Sequence, residues 1–357
     1  MQTRNITIDI MRGITITLMV IGHLIPYASY SFNLVYSFHM PIFFLLSGFC
    51  SAKSLLQTER LHFGKFLWKK IKAIYIPLLM FRFLLNLMLG EAAGMFQNPL
   101  WFFYYPGDWF LQTLFWGDLL FFLFICLCRR FQKSAVRIVL PMAWIAISTY
   151  LLDLSRTLNP IIGGYLPFHF GILALCFAFM LIGYFLSLFG PKLCSLWYVR
   201  KELAGKETLR VPLAGWIVLA CFAAVGLIYL GENEIVNVAT TYIGNNYFMF
   251  FAFCLLLIYL VYELSRFLAS FPHIGRFLAF WGRNSFYVYI VHTFIHFGMN
   301  LLLERLTGTL YTPMIDLPWY YCILYFVLDY ALIIPYILLY TKCKKKIKAW
   351  RRTPKTA

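Results

Sequence analysis

Polar residues that could carry out chemistry are rare in this chain, and a distinct group of them lies within the first 40 residues. Asp9, Arg12 and His23 fall in one apolar stretch, and His39 falls in the next. Asp9 and Arg12 are three residues apart and can pair on one face of a helix. Arg12 and His23 are eleven apart, which is three full helical turns plus about 20°. Their side chains therefore point the same way, roughly 16 Å apart along the helix axis.

This alignment predicts a functional site, because a cation and an imidazole inside a membrane helix are costly unless they face a protein interior or a wet cavity. An arginine fork suits phosphate, and an imidazole suits general-base chemistry. A structural interpretation is also open. Asp9 and Arg12 could mark the membrane–water boundary, and His23 could bond a neighbouring helix.

The elements that position these residues are predicted to be membrane helices. The chain has 357 residues, of which 62% are hydrophobic and 13% charged, with a mean hydropathy of +0.74. This composition is typical of an all-α, polytopic integral membrane helix bundle. Apolar stretches of spanning length predict ten helices, the first of them an uncleaved span. They lie at about 6–28, 34–52, 71–90, 109–127, 136–152, 168–189, 211–230, 242–262, 284–303 and 318–340.

Charge orients this bundle. All but four of the 31 Lys and Arg residues fall in segments on one side of the ten predicted spans, which places both termini in the cytoplasm. The net charge of +17 is spread over every inner loop, so it indicates topology and not nucleic-acid binding. We expect one transmembrane domain at 1–341 and a basic cytoplasmic tail at 342–357 that can contact anionic membrane lipids.

The predicted spans also place other residues. None of the nine cysteines falls in an outer loop, and neither a disulfide framework nor a metal site is expected. A short outer connection at 29–33 makes His23 and His39 neighbours at similar depth. Pro41 follows His39 and either opens room for a substrate or kinks the helix. His169 and His296 are each assigned interface or packing roles.

Three stretches, in order along the chain, resemble the membrane-bound acyltransferase 3 superfamily, and in particular its fucose 4-O-acetylase type. The first is Arg12 and His23 with ten residues between them, followed by FHMPIFFLLSG at 38–48. The second is the Asp-Trp-Phe-Leu of residues 108–111 at the head of a helix. The third is the segment from Gly282 to His292, which has the family's spacing of Gly, Ser, Tyr and His.

This resemblance implies transfer of an acyl group, usually acetyl from cytoplasmic acetyl-CoA, to a hydroxyl of a cell-surface or exported glycan. His23 would act as general base, with a covalent acyl-histidine as an open alternative, and Asp9 would orient Arg12. Acetyl-CoA would be a co-substrate with no further cofactor, and the location would be a bacterial inner membrane. The acyl-CoA would be bound by Arg12, Arg82 and Arg283, and the glycan or lipid-linked saccharide by His39, Trp109, Asp108, His292 and Asn284.

Alternatives remain open at this stage. The arginines could be structural, with Arg12 paired to Asp9, or Arg82 paired to Asp118 or Asp329. A polytopic bundle with buried charges could also be a transporter or flippase for a glycan precursor or a small anion, or an export scaffold without turnover. No matched halves with paired broken helices are visible, and this counts against many transporter folds. The sequence leaves the acceptor sugar, the acyl chain and the oligomeric state undetermined.

Overall fold

The structure is a computed structural model that describes residues 5–88, 90, 109–131, 135–161, 169–203, 206–233, 235–309, 315 and 317–350. The described elements are mainly helices, with two short hairpins. The helices are α1 Ile6–Gly22, α2 Tyr30–Gln57, α3 Phe63–Met88, α4 Trp109–Arg130, α5 Val136–Ile161, α6 Phe170–Trp197, α7 Leu213–Glu232, α8 Tyr247–Leu268, α9 Pro272–Arg283, α10 Ser285–Thr307 and α11 Trp319–Trp350. The antiparallel hairpins pair β1 Val199–Leu203 with β2 Lys206–Arg210, and β3 Val236–Asn237 with β4 Tyr242–Ile243.

The predicted membrane bundle is confirmed. Each of the ten predicted spans contains a helix, and nine helices in the described part of the chain are long and apolar enough to cross a membrane. The protein is therefore an integral membrane protein. The remaining predicted span, α1, has 17 residues, which is at the short end of what crosses a hydrocarbon core.

Three local features differ from the prediction. Helix α1 ends at Gly22 instead of residue 28, and His23 caps it. Pro26 follows closely, and proline restricts the residue before it and cannot continue the ladder of helical hydrogen bonds. Helix α9 lies where a loop was expected and starts with a proline at its first turn, a position that proline favours. The β1–β2 hairpin also replaces part of a predicted loop.

The chain forms two compact units. The first comprises Met1–Val35 and Val261–Ala357, and the second comprises Tyr36–Leu260. Helices α2 and α8 each contribute residues to both units. The first unit thus contains α1, α9, α10 and α11, and it holds most of the residues singled out from the sequence.

In the first unit, α1 packs on α9 at backbone distance. A Cβ atom added to Gly13 would overlap the carbonyl oxygen of Leu278, and one added to Gly282 would overlap the carbonyl oxygen of Asp9. Such an approach is possible only where both helices present glycine. The contact holds the end of α9 against the start of α1, beside Asp9.

The second unit uses the same device between α2 and α6. A Cβ added to Gly48 would overlap the Met180 carbonyl, and one added to Gly183 would overlap that of Leu45. Pro41 lies inside α2, which continues unbroken to Gln57. Whether Pro41 opens room for a substrate or kinks the helix, it does not end α2.

Candidate active site

Helix α1 carries the first group of candidate residues. Its start is fixed by Asn5, whose side chain accepts a hydrogen bond of 2.9 Å from the backbone N–H of Thr7. Asp9 lies one turn further on and is only 3% exposed. Its carboxylate is 3.7 Å from the guanidinium of Arg283 at the end of α9. An aspartate and an arginine from the predicted set are thus brought together by the close packing of α1 on α9.

His23 sits at the other end of α1. Its Nδ1 atom is 2.8 Å from the carbonyl oxygen of Met19. A carbonyl oxygen can only accept a hydrogen bond, so in the neutral ring Nδ1 carries the proton and Nε2 keeps its lone pair. In this tautomer Nε2 is the ring nitrogen that can act as a general base, and the bond to Met19 fixes the orientation of the ring.

His292 on α10 lies directly against His23. The two ring centroids are 5.1 Å apart, with an interplanar angle of 64°. His292 Nδ1 is 3.2 Å from the carbonyl oxygen of Val288, so by the same argument its Nε2 also holds the lone pair. The sequence segment that singled out His292 has thus identified a neighbour of His23.

The group of imidazoles extends further along α10. His296, one turn after His292, has its ring centroid 5.5 Å from that of His292. Its Nε2 is 2.7 Å from Oδ2 of Asp329 on α11. Asp329 is fully buried, and its other carboxylate oxygen has no hydrogen-bond partner among the described residues. We refer to His23, His292, His296 and Asp329 as the histidine array.

This part of the site was not predicted from the sequence. His296 was assigned a packing or interface role, and Asp329 was named as a possible partner of Arg82. The spacing of four residues between His292 and His296 places both on one face of a helix, which was the available signal. The partner on α11 could not be found in this way, because helix pairing is not encoded in local spacing.

An aromatic platform supports the array. Tyr330 stacks on Trp281 with ring centroids 4.3 Å apart and an interplanar angle of 14°. The Tyr330 hydroxyl is 2.7 Å from Oγ1 of Thr17 on α1. These contacts tie α1, α9 and α11 together and hold Asp329, the neighbour of Tyr330, in place. Asn284, at the junction of α9 and α10, donates to the carbonyl oxygen of Phe280 at 2.8 Å.

Other predicted site residues lie in the second unit. His39 is 1% exposed and has its ring centroid 4.8 Å from that of Tyr36. Trp109 begins α4, and Arg82 is buried in α3. Asp108 lies outside the described residues. That His23 and His39 are neighbours stays a prediction.

Both aspartates suggested as partners of Arg82 bond to other side chains. Asp118 accepts from Lys70 at 2.5 Å and from Ser47 at 3.1 Å, and Asp329 is bonded to His296. In the described part of the chain, no group of three or more His, Cys, Asp or Glu side chains is arranged to hold a metal ion.

The chain is similar to known proteins. The nodulation protein NolL of Mesorhizobium japonicum is 35% identical over 16% of this chain and 18% of its own length. NolL of Sinorhizobium fredii is also 35% identical, over 16% of this chain and 19% of its own length. The chain thus spans less than a fifth of the length of these curated relatives. No solved structure matches it. A family model described as an acyltransferase domain matches residues 5–340, nearly the whole chain, and the protein belongs to this acyltransferase family.

Proposed function

We propose that the protein transfers an acetyl group from cytoplasmic acetyl-CoA to a hydroxyl of a cell-surface or exported glycan. The observation that carries the proposal is the fixed tautomer of His23, whose Nδ1 is bonded to Met19 so that Nε2 can accept a proton. Membership of the acyltransferase family supports acyl transfer. The identity of the donor and the acceptor follows from the resemblance described above.

In the proposed reaction, Nε2 of His23 removes the proton of the acceptor hydroxyl. The hydroxyl oxygen then bonds to the acyl carbon of the thioester, the carbon–sulfur bond breaks, and its electron pair goes to sulfur. The proton held by His23 passes to that sulfur, so that CoA leaves as the thiol. In the alternative with an acyl-histidine, Nε2 itself bonds to the acyl carbon, and the acceptor hydroxyl displaces it in a second step.

The donor is proposed to bind through arginines. Arg283 lies beside Asp9 at the junction of α1 and α9, and Arg12 lies one turn along α1 from Asp9. A guanidinium that is already held by a carboxylate can donate two hydrogen bonds to a phosphate. Binding then costs little side-chain entropy, because the arginine is already ordered. Arg82, buried in α3, is proposed as a third contact for the CoA phosphates.

The acceptor is proposed to bind on the side of the histidines. His292 lies against His23, and Asn284 begins the helix that carries His292. His39, Trp109 and Asp108 complete the proposed set, and an indole can stack on the face of a sugar ring. We place the protein in a bacterial inner membrane, with a glycan or lipid-linked saccharide as its partner and anionic lipids at its basic tail.

The test is binding and slow hydrolysis of acetyl-CoA by the purified protein in detergent, followed by a screen of sugar acceptors. We expect Arg12→Ala to weaken acetyl-CoA binding, and His23→Gln to bind acetyl-CoA normally but to lose turnover by at least about 10²-fold. His273→Gln is the matched control, because His273 is an exposed histidine of α9 in the same unit. It should behave as wild type.

Two outcomes would contradict the proposal. If wild type has no affinity for any acyl-CoA, the donor is wrong, and transport of a glycan precursor or small anion in liposomes is the next assay. If His23→Gln turns over like wild type, His23 is not the base. Retention of radiolabelled acetyl on denatured wild type, and its loss in His23→Gln, would establish the acyl-histidine route.

A further inference from the structure

The histidine array contains two side chains that the proposed base does not by itself require. His296 and Asp329 are 8% and 0% exposed, and burying an imidazole and a carboxylate costs free energy that packing with apolar residues would avoid. The two groups are joined by a bond of 2.7 Å. They lie at the end of a continuous series of rings that begins at His23. A buried carboxylate at the end of a row of imidazoles can compensate a positive charge on those imidazoles.

The hydrogen bonds define where protons can be held. Nδ1 of His23 and Nδ1 of His292 each donate to a backbone carbonyl of their own helix. Both Nε2 atoms therefore have lone pairs, and the two rings are in contact. Neighbouring imidazoles in this state can take up one added proton between them. His296 donates from Nε2 to Asp329, so its Nδ1 has the lone pair when Asp329 is ionised.

The net charge of the array decides how costly that proton is. With Asp329 ionised and three neutral imidazoles, the array carries one negative charge, and uptake of one proton makes it neutral. Without the carboxylate, the same uptake would create a net positive charge among apolar helices, which is strongly unfavourable. Oδ1 of Asp329 strengthens this effect, because it accepts no hydrogen bond from any described residue.

We propose that His296 and Asp329 act with His23 and His292 as one proton-accepting array, in which the carboxylate of Asp329 offsets the positive charge acquired when His23 takes the proton of the acceptor hydroxyl. Its part in catalysis rests on the proposed function. Asp329 and His296 are positioning residues here, since they act through His292 and His23 and do not touch the reacting atoms. The proton returns from the array to the departing sulfur, so no additional reactant is consumed.

Other polar groups border the array. Tyr289 has its ring centroid 6.0 Å from that of His292, and Tyr325 has its ring centroid 5.4 Å from that of His296. Cys322 on α11 donates to the carbonyl oxygen of Leu24, next to His23. Asp9 and Arg12 lie on α1 roughly 16 Å or more from His23 along the helix axis. Among the described residues, Asp329 is therefore the carboxylate that is hydrogen-bonded to an imidazole of the array.

The variant that isolates charge is Asp329→Asn, because an amide oxygen can still accept from His296. We expect kcat for acetyl-CoA turnover to fall by about 10²-fold with an unchanged KM, and the acid limb of the pH–rate profile to move to lower pH. Asp329→Glu should recover part of kcat, and His296→Gln should resemble Asp329→Asn. If Asp329→Asn keeps the kcat and pH profile of wild type, the proposal is wrong.

A second measurement does not depend on turnover. In protein labelled with ¹⁵N-histidine, the resonances of His23, His292 and His296 should titrate as a coupled set. Asp329→Asn should move the midpoint of that titration to lower pH, because an imidazolium in the array would lose its opposite charge. If the three histidines titrate independently, and Asp329→Asn leaves their titrations unchanged, the proposed array is wrong. If the histidines titrate as a coupled set but the protein binds no acyl-CoA, the array is supported and the proposed function is wrong.

Discussion

The two compact units each bury an aspartate in a helix, and the two carboxylates are held differently. In the second unit, Asp118 is bonded through one oxygen to Lys70 and through the other to Ser47. In the first unit, Asp329 is bonded through one oxygen to His296, and its other oxygen has no partner among the described residues. Asp118 is thus part of a closed ion pair, whereas Asp329 is open to a further proton or donor.

The contrast shows how a membrane bundle can separate stability from chemistry. A closed pair satisfies its charges within the protein and leaves nothing to react. An imidazole bonded to a carboxylate can take part in proton transfer, and this is of use only where a reaction moves a proton. Both units otherwise share one packing device, the glycine contacts of α1 with α9 and of α2 with α6.

The largest expected effect comes from removing the packing device. Gly13→Val or Gly282→Val would force side-chain atoms onto the backbone of the facing helix. We expect destabilisation of about 3 kcal/mol or more, since overpacking against backbone cannot be relieved by a rotamer change. The measurement is the thermal unfolding midpoint in detergent.

Gly298→Ala is the matched control for the glycine variants. Gly298 lies within α10 in the same unit, and a Cβ at this position would meet no atom within 4 Å. In a helix interior, alanine is more favourable than glycine by roughly 1 kcal/mol. The Gly298→Ala variant should therefore be at least as stable as wild type. A Gly13→Val protein with an unchanged midpoint would mean that α1 and α9 are not in backbone contact.

The second effect tests the closed pair. Asp118→Asn leaves the ammonium of Lys70 without its carboxylate, and we expect a loss of about 2–3 kcal/mol in the free energy of unfolding. Replacing both partners, as in Asp118→Asn with Lys70→Met, should recover most of that loss because no unpaired charge remains. If the double variant is as unstable as the single one, the contribution of the pair lies in its shape and not in its charges.

The third effect tests the open carboxylate, and its direction is opposite. Asp329→Asn keeps the shape and the bond from His296 but removes a buried charge that has one partner. We expect the free energy of unfolding to stay within about 1 kcal/mol of wild type or to rise, so that the thermal midpoint is not lowered, while turnover falls. A midpoint as low as that of Asp118→Asn would show that Asp329 is structural, and the contrast between the units would disappear.

The sequence predicted most of the fold, because membrane helices are encoded by local apolar length and topology by the placement of lysine and arginine. The helix predicted for α1 was too long, because the stretch beyond Gly22 is still apolar and only Pro26 and the turn mark the end of the helix. The prediction missed α9, whose 12 residues are too few to cross a membrane and too polar to resemble a span.

The candidate site was only partly visible for a related reason. Asp9, His23 and His292 stand out as polar residues in apolar stretches, and the structure places His292 against His23. The partners Arg283 and Asp329 depend on which helices pack together. That pairing is set by contacts such as Gly13 with Leu278, which no local spacing reveals.

The smallest effect concerns the bond that ties α1 to α11. Tyr330→Phe removes the hydroxyl that is 2.7 Å from Thr17 and keeps the ring that stacks on Trp281. We expect a loss of about 1 kcal/mol, the usual net contribution of one hydrogen bond, measured again as a thermal midpoint. Thr17→Val should cost a similar amount, and the double variant should cost little more than either single one. A loss of turnover much greater than this small instability would mean that the Tyr330 hydroxyl also serves the array beside it, and Asp329 would then no longer be the sole source of the difference between the two units.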